Sequence, residues 1–264
     1  MIWDWLVKFI GYFSDGVGPA TFEDGLGEGA FGWRHILWIA LIIAIAILGY
    51  QYFKKNPAKE PKWVAVLLVM MFLTRFIHQS VRAFIGAENP WTQAFPFHMC
   101  TVLTFLLPLT VLFDWKAIKT PVYVLSIMGG TITMLMGDYF GSRFMTFFTL
   151  ESMAAHSILI LIPIFEIAAN RYRLDIRDSW KVFAGIFVLM GWATLANLVF
   201  YPGLDPNYMY LMENELPFGN EQNFFFFYIM IFFAFFSMIY GFPTLARALN
   251  KNKELNSTPQ TSQN

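Results

Sequence analysis

Residues 33–53 read Trp33-Arg34-His35-Ile36-Leu37-Trp38-Ile39-Ala40-Leu41-Ile42-Ile43-Ala44-Ile45-Ala46-Ile47-Leu48-Gly49-Tyr50-Gln51-Tyr52-Phe53, an apolar run whose one charged residue, Arg34, stands at its edge. About 20 such residues cross the hydrocarbon core of a bilayer as a helix, and a helix satisfies its backbone polar groups internally. Lys54-Lys55-Asn56-Pro57 closes the run. Stretches 62–85, 95–113, 120–138, 148–169, 181–201 and 224–246 are of comparable length and character. Pro96 opens the third stretch, Pro121 the fourth, and Tyr201-Pro202-Gly203 ends the sixth. The fold class expected is all-α: a polytopic membrane bundle with seven transmembrane helices.

Composition agrees. The 264 residues are 57% hydrophobic and only 14% charged, too few charges to cover the surface of a soluble domain of this size. Formal net charge is zero, and no basic patch interleaved with aromatics points to nucleic acid. The transmembrane domain is expected over 33–246, with no internal repeat. Residues 1–32 form an extracellular segment in which 1–13 lie as an interfacial helix with Trp3 and Trp5 at headgroup level; no cleavable signal is expected. Residues 247–264 are expected to be a disordered cytoplasmic tail.

Orientation follows from the basic residues. Segments 54–62, 114–120, 170–181 and 247–253 hold thirteen of the 18 Lys and Arg, and the alternate segments hold Lys8, Arg34 and Arg143. The N-terminus is therefore expected outside and the C-terminus in the cytoplasm of a multi-pass cell-membrane protein. This topology gathers His35, Arg75, His78, Arg82, His98, Cys100, Asp138, Glu151, His156 and Asn197 in the outer half of the bilayer. Glu166, the exception near the inner side, stands close to Arg171 and Arg173. Ionisable groups in hydrocarbon cost several kcal/mol (roughly 2.5–3.5 by insertion scales) unless they face a polar cavity, so the clustering marks a functional site.

Arg75, His78 and Arg82 are spaced i, i+3, i+7, on one helical face suited to a lipid phosphate or carboxylate. The alternative is that Arg75 and Arg82 pair with Glu151 and Asp138 and hold helices together. Cys100 is the single cysteine. With Pro96 at the first helical position it lies about one turn into its helix, where the dipole favours a thiolate. His98 makes a poor base, because two residues turn an α-helix by about 200°. His156 is at compatible depth, and Asn197 could orient its ring as in Cys-His-Asn hydrolases. The competing reading is that Cys100 is a small hydrophobe and His35 an interhelical hydrogen bonder. His78, His98, Cys100 and His156 are possible zinc ligands, but no H-x-x-x-H, H-E-x-x-H or C-x-x-C spacing occurs, so neither metal nor cofactor is expected. Gly129-Gly130 is a close-packing candidate.

Pro96-Phe97-His98-Met99-Cys100 at the opening of a span, His156 in a later span, and Asn197 followed by Asn207-Tyr208-Met209-Tyr210 before Pro217 together resemble the YwaF-like family of bacterial integral membrane proteins. The entry from Phe31-Gly32 to His35 resembles it too, and the likeness extends over residues 31–245. The family is similar, more distantly, to a eukaryotic transmembrane acyltransferase that remodels ether phospholipids. The resemblance implies that the essential Cys and His of that enzyme fall on Cys100 and His156. It adds His98, Asn207 and Tyr208 to Arg75, His78 and Arg82 as substrate-binding candidates. The expected activity is phospholipid transacylation through a Cys100 thioester, with membrane phospholipids as partners. A non-enzymatic lipid or anionic-solute binding or transport protein, or a zinc-dependent membrane hydrolase, are the alternatives.

Overall fold

The computed structural model describes residues 31–85, 95–136, 147–201, 207–214 and 219–257, with the side chains of 78–85, 148, 242, 243 and 245–257 excepted. Among these residues there are seven α-helices and no strand: α1 (Trp33–Lys55), α2 (Glu60–Ile85), α3 (Met99–Leu112), α4 (Lys116–Met136), α5 (Phe147–Ala168), α6 (Ser179–Leu195) and α7 (Phe224–Ser257). Five of them are long and apolar enough to cross a membrane: α1, α4, α5, α6 with its flanking turns, and the first part of α7. The segment 1–13 and Asp138 lie outside the described residues.

Three boundaries differ from the sequence reading. The helix bearing Cys100 starts at Met99, with His98 as its N-cap in extended conformation (φ −71°, ψ 143°). Pro96 therefore precedes the helix and Cys100 sits in its first turn. At about 1.5 Å per residue, 14 residues rise only about 21 Å, so α3 is short for a bilayer and is preceded by the irregular segment 95–98. Helix α4 begins at Lys116, so Pro121 lies inside it and not at its start. Helix α7 continues to Ser257, past the start of the expected tail, because no Gly or Pro interrupts Thr244–Ser257.

Helices α4 and α5 are the centre of the bundle. Helix α4 packs on α3, α5 and α6, while α5 also receives α1 and α2. Tyr123, Leu103, Leu107, Met71, Leu159 and Ile162 are almost fully enclosed between them. The outer helices keep large apolar side chains exposed, among them Leu37, Ile43, Phe72 and Phe187, as a surface in contact with lipid tails requires. Lipid gives little hydrophobic drive between helices, so close approach rests on small residues. Gly49 admits the Phe165 ring to α1, and Gly185 admits Pro121 to α6.

Candidate functional site

Helix α4 carries adjacent glycines facing two neighbours. A β-carbon on Gly129 would stand 3.0 Å from Cys100 Sγ, and one on Gly130 would stand 2.8 Å from the His156 carbonyl oxygen. The glycine step thus lets α3 and α5 close on the two faces of α4 at the level of Cys100 and His156. One turn beyond Gly129, Thr133 Oγ1 lies 3.7 Å from the half-buried Cys100 thiol. His156 is buried, and its Nδ1 lies 2.7 Å from the Ser152 carbonyl. A carbonyl only accepts, so Nδ1 carries the hydrogen and Nε2 is the basic atom of the ring.

Asn197 does not hold that imidazole. It sits in a π-helical turn, Ala196–Phe200, that extends α6 and points its amide inward. There Oδ1 accepts from the Tyr208 N–H at 2.8 Å and Nδ2 donates to the Tyr208 carbonyl at 3.2 Å. Both ends of the amide are spent on the backbone of one residue, and the group bonded to the His156 ring is Ser152. The loop so clamped is strained: Asn207, Met209 and Tyr210 all have φ between 45° and 56°. Asn207 tolerates this conformation and secures the loop, its Oδ1 accepting from the N–H groups of Met212 and Glu213. Met209 N–H donates to His98 Nδ1 at 3.3 Å, and the rings of Tyr208 and Tyr210 flank the His98 ring. His98 is therefore the seat of the 207–213 loop at the start of α3. Asn207 and Tyr208 are nearly enclosed and act on this region by holding that loop.

Arg75 Nη1 lies 3.1 Å from Glu151 Oε1, and its Nε approaches Thr104 Oγ1. The guanidinium charge acts on both Cys100 and His156. His35 joins the same end of the bundle as an interhelical bonder, its Nε2 2.6 Å from the Met134 carbonyl. The side chains of His78 and Arg82, further along α2, lie outside those described. Among the described residues no three of His, Cys, Asp and Glu converge as a metal-ligating group. Sequence reasoning did not single out Thr133, Thr104 or Ser152. Only the placement of Ser152 four residues before His156, and of Thr133 four after Gly129, hinted at them.

The opposite end of the bundle is ionic as well. Glu166 is met by Lys119 Nζ at 2.9 Å and not by Arg171 or Arg173; Arg171 instead pairs with Glu60 at 2.8 Å. Lys119 comes from the first turn of α4, which the earlier helix start brings within reach of the end of α5.

These features define a multi-pass helical membrane protein with a polar cluster buried at one end of the bundle. The chain belongs to the TMEM164 family, whose family model matches residues 30–240. No curated protein and no solved structure matches the chain.

Proposed function

We propose that the chain is a phospholipid transacylase of the cell membrane, with Cys100 as nucleophile and His156 as base. The observation that carries this reading is the Gly129–Gly130 step, which brings the Cys100 thiol and the His156 turn onto adjoining faces of α4 in the field of one arginine. The resemblance of Pro96–Cys100 and His156 to the YwaF-like proteins and the ether-phospholipid acyltransferase supports it further. In this mechanism Cys100 passes its proton to His156 Nε2, and the thiolate attacks an ester carbonyl carbon of a glycerophospholipid. The ester C–O bond breaks, and the imidazolium returns the proton to the departing lysolipid oxygen. An acceptor hydroxyl then loses its proton to His156 and attacks the thioester, and the C–S bond breaks to release the thiolate, which takes the proton back. No cofactor enters.

Counting α2 and α3 with the five apolar helices gives seven crossings. The basic-residue bias then supports an outer N-terminus, a cytoplasmic C-terminus and a site toward the outer leaflet. Acyl-CoA is cytoplasmic, so the donor in this reading is a phospholipid. His78, Arg82 and His98 are the groups this reading assigns to its headgroup. Labelling residues 207–214 but not 54–62 from outside intact cells is the expected topological result; the reverse pattern overturns the donor assignment.

One observation favours a non-enzymatic lipid or anionic-solute binder: the group bonded to the Cys100 thiol is the Thr133 hydroxyl. Purified protein in vesicles carrying acyl-labelled phospholipid separates the two. A hydroxylamine-labile label on Cys100, absent from Cys100→Ser, marks acyl transfer, whereas bound lipid without adduct or turnover marks the binder. Metal analysis of the same preparation tests the zinc-hydrolase alternative, which requires near-stoichiometric zinc lost on replacing His78 or His156.

A further inference from the structure

At the end of the bundle away from Cys100, three carboxylates meet three cations. Glu60 opens α2 beside Lys59 and Lys62, Glu166 comes from the last turns of α5, and Asp114 from the turn between α3 and α4. Lys119 of α4 lies 2.9 Å from Glu166 and 3.2 Å from Asp114; Arg171, beyond α5, lies 2.8 Å from Glu60. Lys116 Nζ also stands 3.7 Å from Asp114 Oδ2, so two lysines attend Asp114 while the two glutamates have only Arg171 and a share of Lys119. Asp114 is largely exposed, and Lys119 holds its carboxyl below the usual range, so Asp114 keeps its charge. The charges that burial opposes are therefore those of Glu60 and Glu166, which are 1% and 5% exposed.

Their hydrogen bonding is deficient. Neither oxygen of Glu60 receives a well-directed hydrogen bond, the Arg171 contact being an off-axis ion pair. Glu166 Oε2 is likewise without one despite Lys119. The Tyr123 hydroxyl, fully enclosed on α4 with Lys119 over its ring, faces Glu166 but makes no well-directed hydrogen bond. A buried carboxylate lacking directed donors is relieved by taking a proton, which removes the charge and creates a donor.

We infer that Glu60, set against Glu166, is a proton-binding site shared by α2, α4 and α5 and open to water along the half-exposed Arg171 side chain. The facing groups are Glu166 on α5, Lys119 and Tyr123 on α4, Asp114 before α4, and Arg171 after α5. Burial first and the Glu166 charge second push the Glu60 carboxyl up to about 7, with Arg171 and Lys119 opposing. Occupancy thus changes near neutral pH. Proton loss leaves two facing carboxylates that only Arg171 and Lys119 hold together, so the cluster couples ambient pH to the packing of the three helices. This site is separate from the Cys100 cluster and independent of the acyl-transfer reading.

Infrared spectroscopy of the full chain in phospholipid vesicles, titrated through neutral pH, tests the inference. A buried carboxylic C=O band is expected to disappear with a midpoint near 7 and to be missing from Glu60→Gln. Glu166→Gln removes the repelling charge and should weaken proton affinity by about tenfold or more; Arg171→Gln removes the opposing cation and should strengthen it by a similar factor. These two shifts report even if Glu60→Gln fails to insert. No titrating band in the wild type, a band retained in Glu60→Gln, or shifts of the opposite sign would each overturn the assignment.

Discussion

Arg75 on α2 and Glu151 on α5 form an ion pair inside the bundle, 3.1 Å from Nη1 to Oε1, with the carboxylate fully enclosed. For Arg75 the pair is the interhelical contact that the spacing of Arg75, His78 and Arg82 leaves open beside headgroup binding. A guanidinium whose charge is already matched by a buried carboxylate is a poor primary anchor for a phosphate. Its field still reaches Cys100 and His156, so it sets the electrostatics of the site from behind.

Breaking this pair should harm the fold more than deleting it. Arg75→Leu strands a buried carboxylate and is expected to cost about 3–5 kcal/mol, whereas Arg75→Leu with Glu151→Leu should recover most of the loss. Unfolding of both variants in one detergent measures the difference. Equal loss in the single and double variants would mean that Glu151 is compensated elsewhere.

The thiol of Cys100 should depend on His156 and not on His98. Reaction with a small neutral thiol reagent is expected to slow about 10²–10⁴-fold in His156→Ala, the usual worth of a general base. In His98→Ala, which loosens the Met209 contact, the rate should stay within a few-fold. An unchanged rate in His156→Ala would leave Cys100 a structural residue.

The two glycines of α4 should differ in their tolerance of a methyl group. At Gly129 the nearest obstacle is the flexible Met99 side chain at 2.7 Å, followed by Cys100 Sγ. At Gly130 it is the His156 backbone at 2.8 Å, which moves only if α4 and α5 separate. Gly130→Ala is therefore expected to destabilise by about 1–3 kcal/mol and Gly129→Ala by less. Thermal unfolding ranks them, and the reverse order would refute the packing argument.

Asn197→Ala should release the 207–213 loop. It removes the Asn197 side-chain bonds to the Tyr208 N–H and carbonyl, at about 1–3 kcal/mol for each buried group. Faster amide exchange confined to this loop and the start of α3 is the expected signature. Thiol reactivity lost without any change in exchange would restore Asn197 to a role at His156.

Glu60 should give stability a pH dependence of defined sign. Its carboxyl rises from 4.5 to about 7 on folding, so the folded state binds the extra proton between these values. The resulting stabilisation is full below 4.5 and is lost as pH rises through about 7. The melting temperature of the wild type should therefore fall relative to Glu60→Gln across that window. A parallel pair of curves would show that Glu60 does not titrate there.

Much of the architecture is a matter of one-dimensional chemistry. Length and apolarity decide that 33–53 or 224–246 enters a bilayer as a helix, because hydrocarbon forbids unpaired backbone whatever the neighbours are. The same logic makes Arg75, Cys100 and His156 worth noticing, since polar groups in such runs need a reason. Partner choice is another matter. Nothing in the spacing of Asn197 says that both ends of its amide go to the Tyr208 backbone, or that Ser152 is the group bonded to the His156 ring. Periodicity likewise cannot report that α3 starts at Met99, because the irregular segment 95–98 is held by contacts from the distant loop 207–213. Lys119 and Glu60 read as flanking charges in the chain, yet the bundle turns them into members of a buried cluster. A helix satisfies its own backbone locally, and so the sequence determined which segments enter the membrane. Side-chain hydrogen bonds and ion pairs join atoms on different helices, so the tertiary structure alone decided which polar groups meet.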